Sequence, residues 1–366
     1  MSDPKMAPMP AVKAEGSGLS GWLARLQPFV AVLLGLSLGL AVTALAGESP
    51  WLVLKVLVQS SVGTAYDLGM TLFYATPLIF TGLSVAIAFQ AGLFNIGAEG
   101  QLAFGALAAA AMGILVPGAP AWIAPVLGIF AAIAGGAIWG FIPGYLRARR
   151  GSHEVINTIM LNFVAAGLTS WVTLYLLRSE ESQNPETKSV GAGYLLPHWT
   201  SVFGDAPLSL AFVLALLAAL AMGFFLWRTT AGFELRAVGQ NESAARAAGI
   251  DAAKVRILAM VLAGGLAGMV GVAEVMGNAG KFRMNFSPDY GFIGIAVALL
   301  GRNRPLGVVG AALLFGALQK GTGALDFETE HVTRELSSII QALVILSVSA
   351  EGLWTWMRER KKGAQA

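Results

Sequence analysis

Long apolar runs separated by short polar breaks recur along the chain, and their lengths predict helices that cross a bilayer. The first runs from about Phe29 to Ala46. Further spans are expected near 65–90, 99–117, 122–146, 154–177, 207–227, 255–276, 289–301, 305–320 and 336–357. Residues 50–64 read as a short helix outside the main core. The pieces 289–301 and 305–320 are shorter than the ~20 residues of a simple span. They fit two tilted helices sharing a tight turn, or a broken element buried in protein. The pattern predicts an all-α fold, a polytopic membrane protein with about ten transmembrane helices.

Residues 1–27, rich in Pro, Ala and Gly, read as a flexible cytoplasmic tail, 28–357 as a transmembrane domain, and 358–366 as a basic cytoplasmic tail. The long basic N-terminal region and the poor cleavage signal at Ala46-Gly47-Glu48 favour a retained first span over a signal peptide. With the N- and C-termini both cytoplasmic, 17 of the 24 lysines and arginines fall on the inner side, the bias of the positive-inside rule.

Composition narrows the function. Hydrophobic residues make up 56% of the 366 and charged residues 12%, about half the ~25% of soluble domains. The net charge of +3 is accounted for by basic inner loops, so no nucleic-acid partner is expected and membrane lipid is the surrounding phase. There is no cysteine, and His153, His198 and His331 are too scattered for a local metal motif. Phosphate-loop, H-E-x-x-H and G-x-S-x-G motifs are missing. The chain is therefore not read as an enzyme, and no cofactor or metal site is expected in it.

Glycines at four-residue spacing (Gly35 and Gly39; Gly136, Gly140 and Gly144; Gly264 and Gly268) predict close helix packing. Ionisable residues in or near spans, namely Asp67, Glu99, Glu274 and Glu351, are costly there and mark cavities or partners. Pro77, Gln90, Asn95 and Gln101, with Gly92, Gly97 and Gly100, suggest either a helix break that meets a solute or a tight turn between spans. Asn157 and Asn162 either join helices or line a route. In the inner segment 228–254, Asn241 is a plausible helix N-cap and Gly249 a stop.

Three segments together carry a family resemblance. Gly92-Leu93-Phe94-Asn95-Ile96-Gly97-Ala98-Glu99-Gly100-Gln101 resembles a signature of permease subunits in ABC importers of the ribose/branched-chain-amino-acid type. Glu154-Val155-Ile156-Asn157-Thr158-Ile159-Met160-Leu161-Asn162 is similar to a segment of the nucleoside-importer branch, and 232–250 follows a third pattern of the family. The resemblance implies a transmembrane permease of an ATP-driven importer in a bacterial inner (plasma) membrane. Its substrate would be a nucleoside, with a simple sugar such as a pentose as the alternative and an ion-coupled secondary transporter further off.

The same resemblance implies partners. These are a second, shorter related permease, ABC ATPase subunits that hold ATP and magnesium, and a periplasmic or lipid-anchored substrate-binding protein. It assigns Asn95, Glu99, Gln101, Asn157 and Asn162 to the translocation pathway or its gate. Glu234, Arg236, Asn241, Arg246 and Gly249 fall in the ATPase-coupling loop.

Overall fold

The structure, a computed structural model, describes residues 19–330 and 332–349. His331, Glu351 and the basic C-terminal tail lie outside the described residues, as does the N-terminal segment before Leu19. The first helix begins at Leu19, within the stretch read as tail. The helices in order are α1 (Leu19–Leu45), α2 (Pro50–Val62), α3 (Ala65–Gln90), α4 (Ala98–Leu115), α5 (Ala124–Arg150), α6 (Glu154–Trp171), α7 (Thr200–Phe203), α8 (Ala211–Arg228), α9 (Thr230–Gln240), α10 (Glu242–Ala247), α11 (Ala252–Gly268), α12 (Tyr290–Leu300), α13 (Pro305–Glu328) and α14 (Arg334–Ser349). A π-helical stretch, Val172–Leu176, extends α6, and another, Val272–Ala279, follows α11. Among the described residues, 7 helices are long and apolar enough to cross a membrane, counting α6 and α11 with their π-helical ends.

The segment 289–320 resolves into unequal parts. Helix α12 has 11 residues, roughly 16 Å at 1.5 Å per residue, about half of a ~30 Å hydrocarbon core. Helix α13 has 24 and extends well past the expected end at 320. The turn between them places Arg302 and Asn303 at φ of 53° and 54°. Pro305 then starts α13, where its missing N–H costs nothing.

Helix α3 is the centre of the bundle, with residues from Leu78 to Ala88 buried on all sides. Helices α8, α11, α12 and α13 pack around it. The widest helix–helix seam joins α5 to α11, and glycine makes it possible. A Cβ on Gly136 would lie 2.1 Å from the Gly264 carbonyl oxygen, and one on Gly264 would lie 2.2 Å from that of Gly136. Likewise α1 meets α14 where a Cβ on Gly35 would come within 2.6 Å of the Val344 Cα. Small residues let these backbones touch, so dispersion replaces the hydrophobic drive that lipid removes.

Two ends can be told apart. At one, Gln90 donates to the Asn303 carbonyl (3.1 Å) and Gly239 lies against Gln90 and Gly92. That end gathers the 151–153, 229–251 and 301–304 turns with their arginines, and is called the basic end here. The opposite end carries the 177–210 segment, pinned to the 280–284 loop by Glu186. The Glu186 carboxylate is bonded by Lys281 (2.7 Å) and faces Arg283 (3.6 Å). The Lys281 hydrogen bond, followed by one from Ser182, holds this carboxyl below the usual glutamate range.

Gly264→Leu is expected to destabilise the detergent-purified protein by more than ~2 kcal/mol, since an overpacked contact here strikes backbone. Gly167→Leu is the matched control, because a Cβ there meets nothing within 4 Å. Thermal unfolding of both variants checks this, and equal losses would contradict the seam.

Candidate functional site

Between α3 and α4 the chain turns back into the bundle instead of emerging from it. Ala91 ends α3, Gly92 takes φ +69°, and the segment rises until Asn95 reaches Ser84 (3.2 Å). Ser84 lies six residues before the end of α3, about 9 Å inside. Helix α4 therefore starts deep within the bundle, and the freed backbone groups need partners there. Side-chain amides supply them. Asn162 of α6 accepts from the Gly100 N–H (2.9 Å) and donates to the Ile96 carbonyl (3.0 Å). Asn95 and Gln101, both fully buried, exchange two amide hydrogen bonds of 2.8 and 3.0 Å, and the Gly97 N–H donates to Asn95 (3.2 Å). Trp139, stacked on Phe104 at 3.9 Å, crowds Gly100 so closely that a Cβ there would meet its indole nitrogen at 3.0 Å.

Glu99, in the first turn of α4, faces a second buried helix start. Its carboxylate accepts from the Gly291 N–H of α12 (2.7 Å). It thus sits where the positive ends of two helices converge. One residue before Gly291, the Tyr290 hydroxyl donates to Glu274 (3.1 Å), whose other oxygen accepts from Asn278 (3.1 Å). Glu274 is 8% exposed and lines a cavity of about 150 Å³ with Asn278, Lys281, Arg283 and Phe286. Two carboxylates, a phenol and two helix starts thus meet in the interior, an arrangement able to bind polar hydrogen-bonding groups.

At the basic end, Thr229 caps α9 by accepting from Gly232 (3.1 Å), and Asn241 caps α10 by accepting from Ala244 (3.0 Å). Gly249, at φ +84°, stops α10. The short helix is tied down from one side. Glu242 pairs with Arg246 (2.6 Å) and receives two bonds from Arg256 of α11 (2.5 and 3.2 Å). Burial pushes the Glu242 carboxyl up, but Arg256 and Arg246 together carry it below its ordinary value. Arg236 turns inward to the Leu226 carbonyl (3.0 Å) and lies over the ring of Trp227, in the last turn of α8. The exposed residues of α9, α10 and the turn after them include Phe233, Glu234, Ser243, Arg246 and the small residues Ala244, Ala247 and Ala248.

The structure brings Asn95, Glu99, Gln101 and Asn162 together around one interruption. Asn157 stands apart, donating to Ser152 (2.6 Å) next to the Arg147–Glu154 ion pair. Phe89 and Phe94 pack edge to face on each other at 5.1 Å. Tyr290 and Gly291 were not singled out by sequence reasoning. The turn residues Ser287-Pro288-Asp289 ahead of an apolar run were the available signal for a helix start there.

Residues 68–349 match the family described as branched-chain amino acid transport system / permease component. The guanosine ABC transporter permease protein NupP of Bacillus subtilis is 38% identical over 343 residues, covering 93% of this chain and 97% of NupP. The nucleoside ABC transporter permease protein NupB of Lactococcus lactis is 35% identical over 347 residues, 93% of this chain and 95% of NupB. The glucose ABC transporter permease protein TsgB13 of Haloferax volcanii is 35% identical over 334 residues, 89% of this chain and 87% of TsgB13.

Two measurements probe this geometry. Asn95→Leu and Gln101→Leu each strand a buried amide and should cost ~1–3 kcal/mol. The double variant should fall short of their sum by at least ~1 kcal/mol, and simple additivity in unfolding experiments would contradict the pairing. For Glu242, a carboxyl lowered in the folded state contributes fully above its unfolded value of ~4.3 and loses that contribution as pH falls through the folded one. Protection factors of the 242–250 amides, which divide out the intrinsic pH dependence of exchange, should therefore hold constant from neutral pH to about pH 5 and fall only below the ordinary glutamate range. Glu242→Gln should lower protection at neutral pH and flatten the acid response.

Proposed function

Because this chain belongs to the branched-chain amino acid transport system / permease component family, we propose that it is the membrane-spanning subunit of an ATP-driven importer that moves nucleosides into the cytoplasm. The observation that carries a transport role is the interior meeting of α4 and α12 at Glu99. An apolar bundle that only anchored other proteins would have no use for two helix starts and a carboxylate at that depth. The nucleoside assignment draws on NupP and NupB, whose similarity runs over nearly the whole length of both chains. The glucose permease TsgB13, at 35% identity, keeps a sugar as the second reading.

In this reading the basic end is cytoplasmic, in line with the positive-inside rule. The seven long helices, α1, α14, and α12 together with the 280–289 segment that leads into it make ten passages of a bacterial inner membrane, with both termini inside. The exposed face of α9 and α10, with Glu234, Arg246 and three alanines, receives an ATPase subunit that holds ATP and magnesium. Asn241 and Gly249 shape that face, while Arg236 positions it through α8. A second permease chain completes the pathway, and a substrate-binding protein delivers solute at the opposite end. Solute passes Glu99 and Glu274, and the Asn95, Gln101 and Asn162 amides hold the interrupted backbone that presents Glu99. Asn157 steadies the start of α6.

ATP-dependent uptake of labelled guanosine, compared in cells with and without this gene, tests the proposal. Uptake that needs the gene and is blocked by nucleosides but not glucose is the expected result. Competition by glucose alone would move the substrate to the second reading. Ala247→Arg, which adds bulk on an exposed position of α10, should reduce ATPase recovery on co-purification while leaving membrane insertion intact. Undiminished recovery and uptake would remove the docking assignment.

A further inference from the structure

A cavity of about 680 Å³ lies at the end opposite α9 and α10, between α2, the start of α3 and the end of α13. Its walls combine flat rings with hydrogen-bonding groups. Tyr66 and Tyr74 stand eight residues apart on α3, two turns and on one face, and both line it. Lys320 pairs with Asp67 across it (3.0 Å), lies over the Tyr66 ring at 5.9 Å, and leaves both partners under 20% exposed. Asp67 also accepts from the Thr64 hydroxyl (2.6 Å). Beside Lys320, the Gln319 side-chain oxygen is buried with no hydrogen-bond partner among the described residues. Tyr74 forms the inner wall, within electrostatic reach of Glu274.

Three features separate this cavity from a lipid-filled groove. The Asp67–Lys320 pair stands on the cavity wall, where it offers a carboxylate and an ammonium that lipid tails cannot satisfy. Gln319 lines the same wall and places a side-chain amide there, a group that can hydrogen-bond the edge of a ligand. Most telling is Gly323, on the same wall. In α13, Gly316 and Gly321 are required by packing, since a Cβ on either would meet backbone at 2.7 Å. A Cβ on Gly323 would meet nothing within 4 Å. Glycine weakens a helix interior relative to alanine, and at this position what it provides is open volume. Gly310 meets nothing either, but it does not line the cavity.

We propose that this cavity is the entry subsite for a nucleoside, with Tyr66 and Tyr74 against the flat base, Gln319 on a hydrogen-bonding edge, and the Asp67–Lys320 pair facing the sugar hydroxyls. The proposal rests on the nucleoside-import reading above. Aromatic faces accept any base, and paired polar groups reject solutes that cannot satisfy them. From Tyr74 the path continues inward to Glu274, Tyr290 and Glu99.

The chain contains no cysteine, so Gly323→Cys gives it a single thiol. In cells carrying the complete importer, a membrane-impermeant maleimide should label that thiol, and excess guanosine should slow labelling severalfold while glucose does not. Gly323→Leu, which narrows the cavity from a position where a Cβ meets nothing within 4 Å, should lower guanosine uptake roughly tenfold or more, the scale on which one ill-fitting group discriminates in a pocket. Absence of labelling, or labelling unchanged by guanosine in an importer that takes guanosine up, overturns the subsite and leaves the proposed function intact. Protection by glucose but not guanosine also overturns it. An importer with the wild-type chain that takes up no nucleoside overturns the function itself.

Discussion

The interior of this protein is organised by one constraint: a helix interrupted inside an apolar bundle must find partners for its freed N–H and C=O groups. Each unpaired group in such a medium costs several kcal/mol. The Asn162 amide spans the interruption, bonding the Gly100 N–H and the Ile96 carbonyl, while Asn95 and Gln101 pair behind it. With those bonds made, α4 can begin at depth and point its first turn at α12. Glu99 then has a donor to accept from, and α12 can be short because its own start is satisfied by a side chain.

The same interruption connects the two ends. Gly239 lies so close to the α3 terminus that a Cβ would sit 2.1 Å from the Gln90 carbonyl oxygen, and Gly92 approaches it from the other side. The base of the α9–α10 loop is thus in backbone contact with the point where the chain turns back inward. In the proposed importer, force applied to α10 by an ATPase has a direct mechanical path. It passes through the Glu242–Arg256 tether to α11 and through Gly239 to the segment that carries Asn95 and Glu99. Packed backbones of this kind shift between discrete arrangements and do not deform smoothly.

Charge follows the same division of labour. The opposite end holds the 177–210 segment with Glu186 between Lys281 and Arg283, and its cavity with Asp67 against Lys320. These pairs join elements far apart in sequence, loop to loop in the first case and α3 to α13 in the second, so they fix the packing as well as balancing charge. At the basic end Arg236 and Arg256 make internal contacts, and Arg246, on the open face of α10, pairs with Glu242 of its own helix.

The apolar pattern by itself determined the class, the order of the helices and most of their limits, because a span must be long and apolar whatever surrounds it. Asn241 and Gly249 were likewise legible as cap and stop, since capping is decided within a few residues. The resemblance carried by 92–101, 154–162 and 232–250 pointed to the family that the comparison of residues 68–349 then identified. Only the tertiary structure decided which polar residues work together. Asn157 and Asn162 look alike along the chain, yet one bonds Ser152 and the other clamps α4 sixty residues away. For Tyr290 and Gly291 the turn residues 287–289 signalled at most a helix start, and for the Gly323 cavity wall there was no local signal. Their roles depend on which helices pack beside them, and helix packing is set by close approach at glycines spread along the whole chain. A depth within the bundle, unlike a helix limit, is a property of the assembled neighbours.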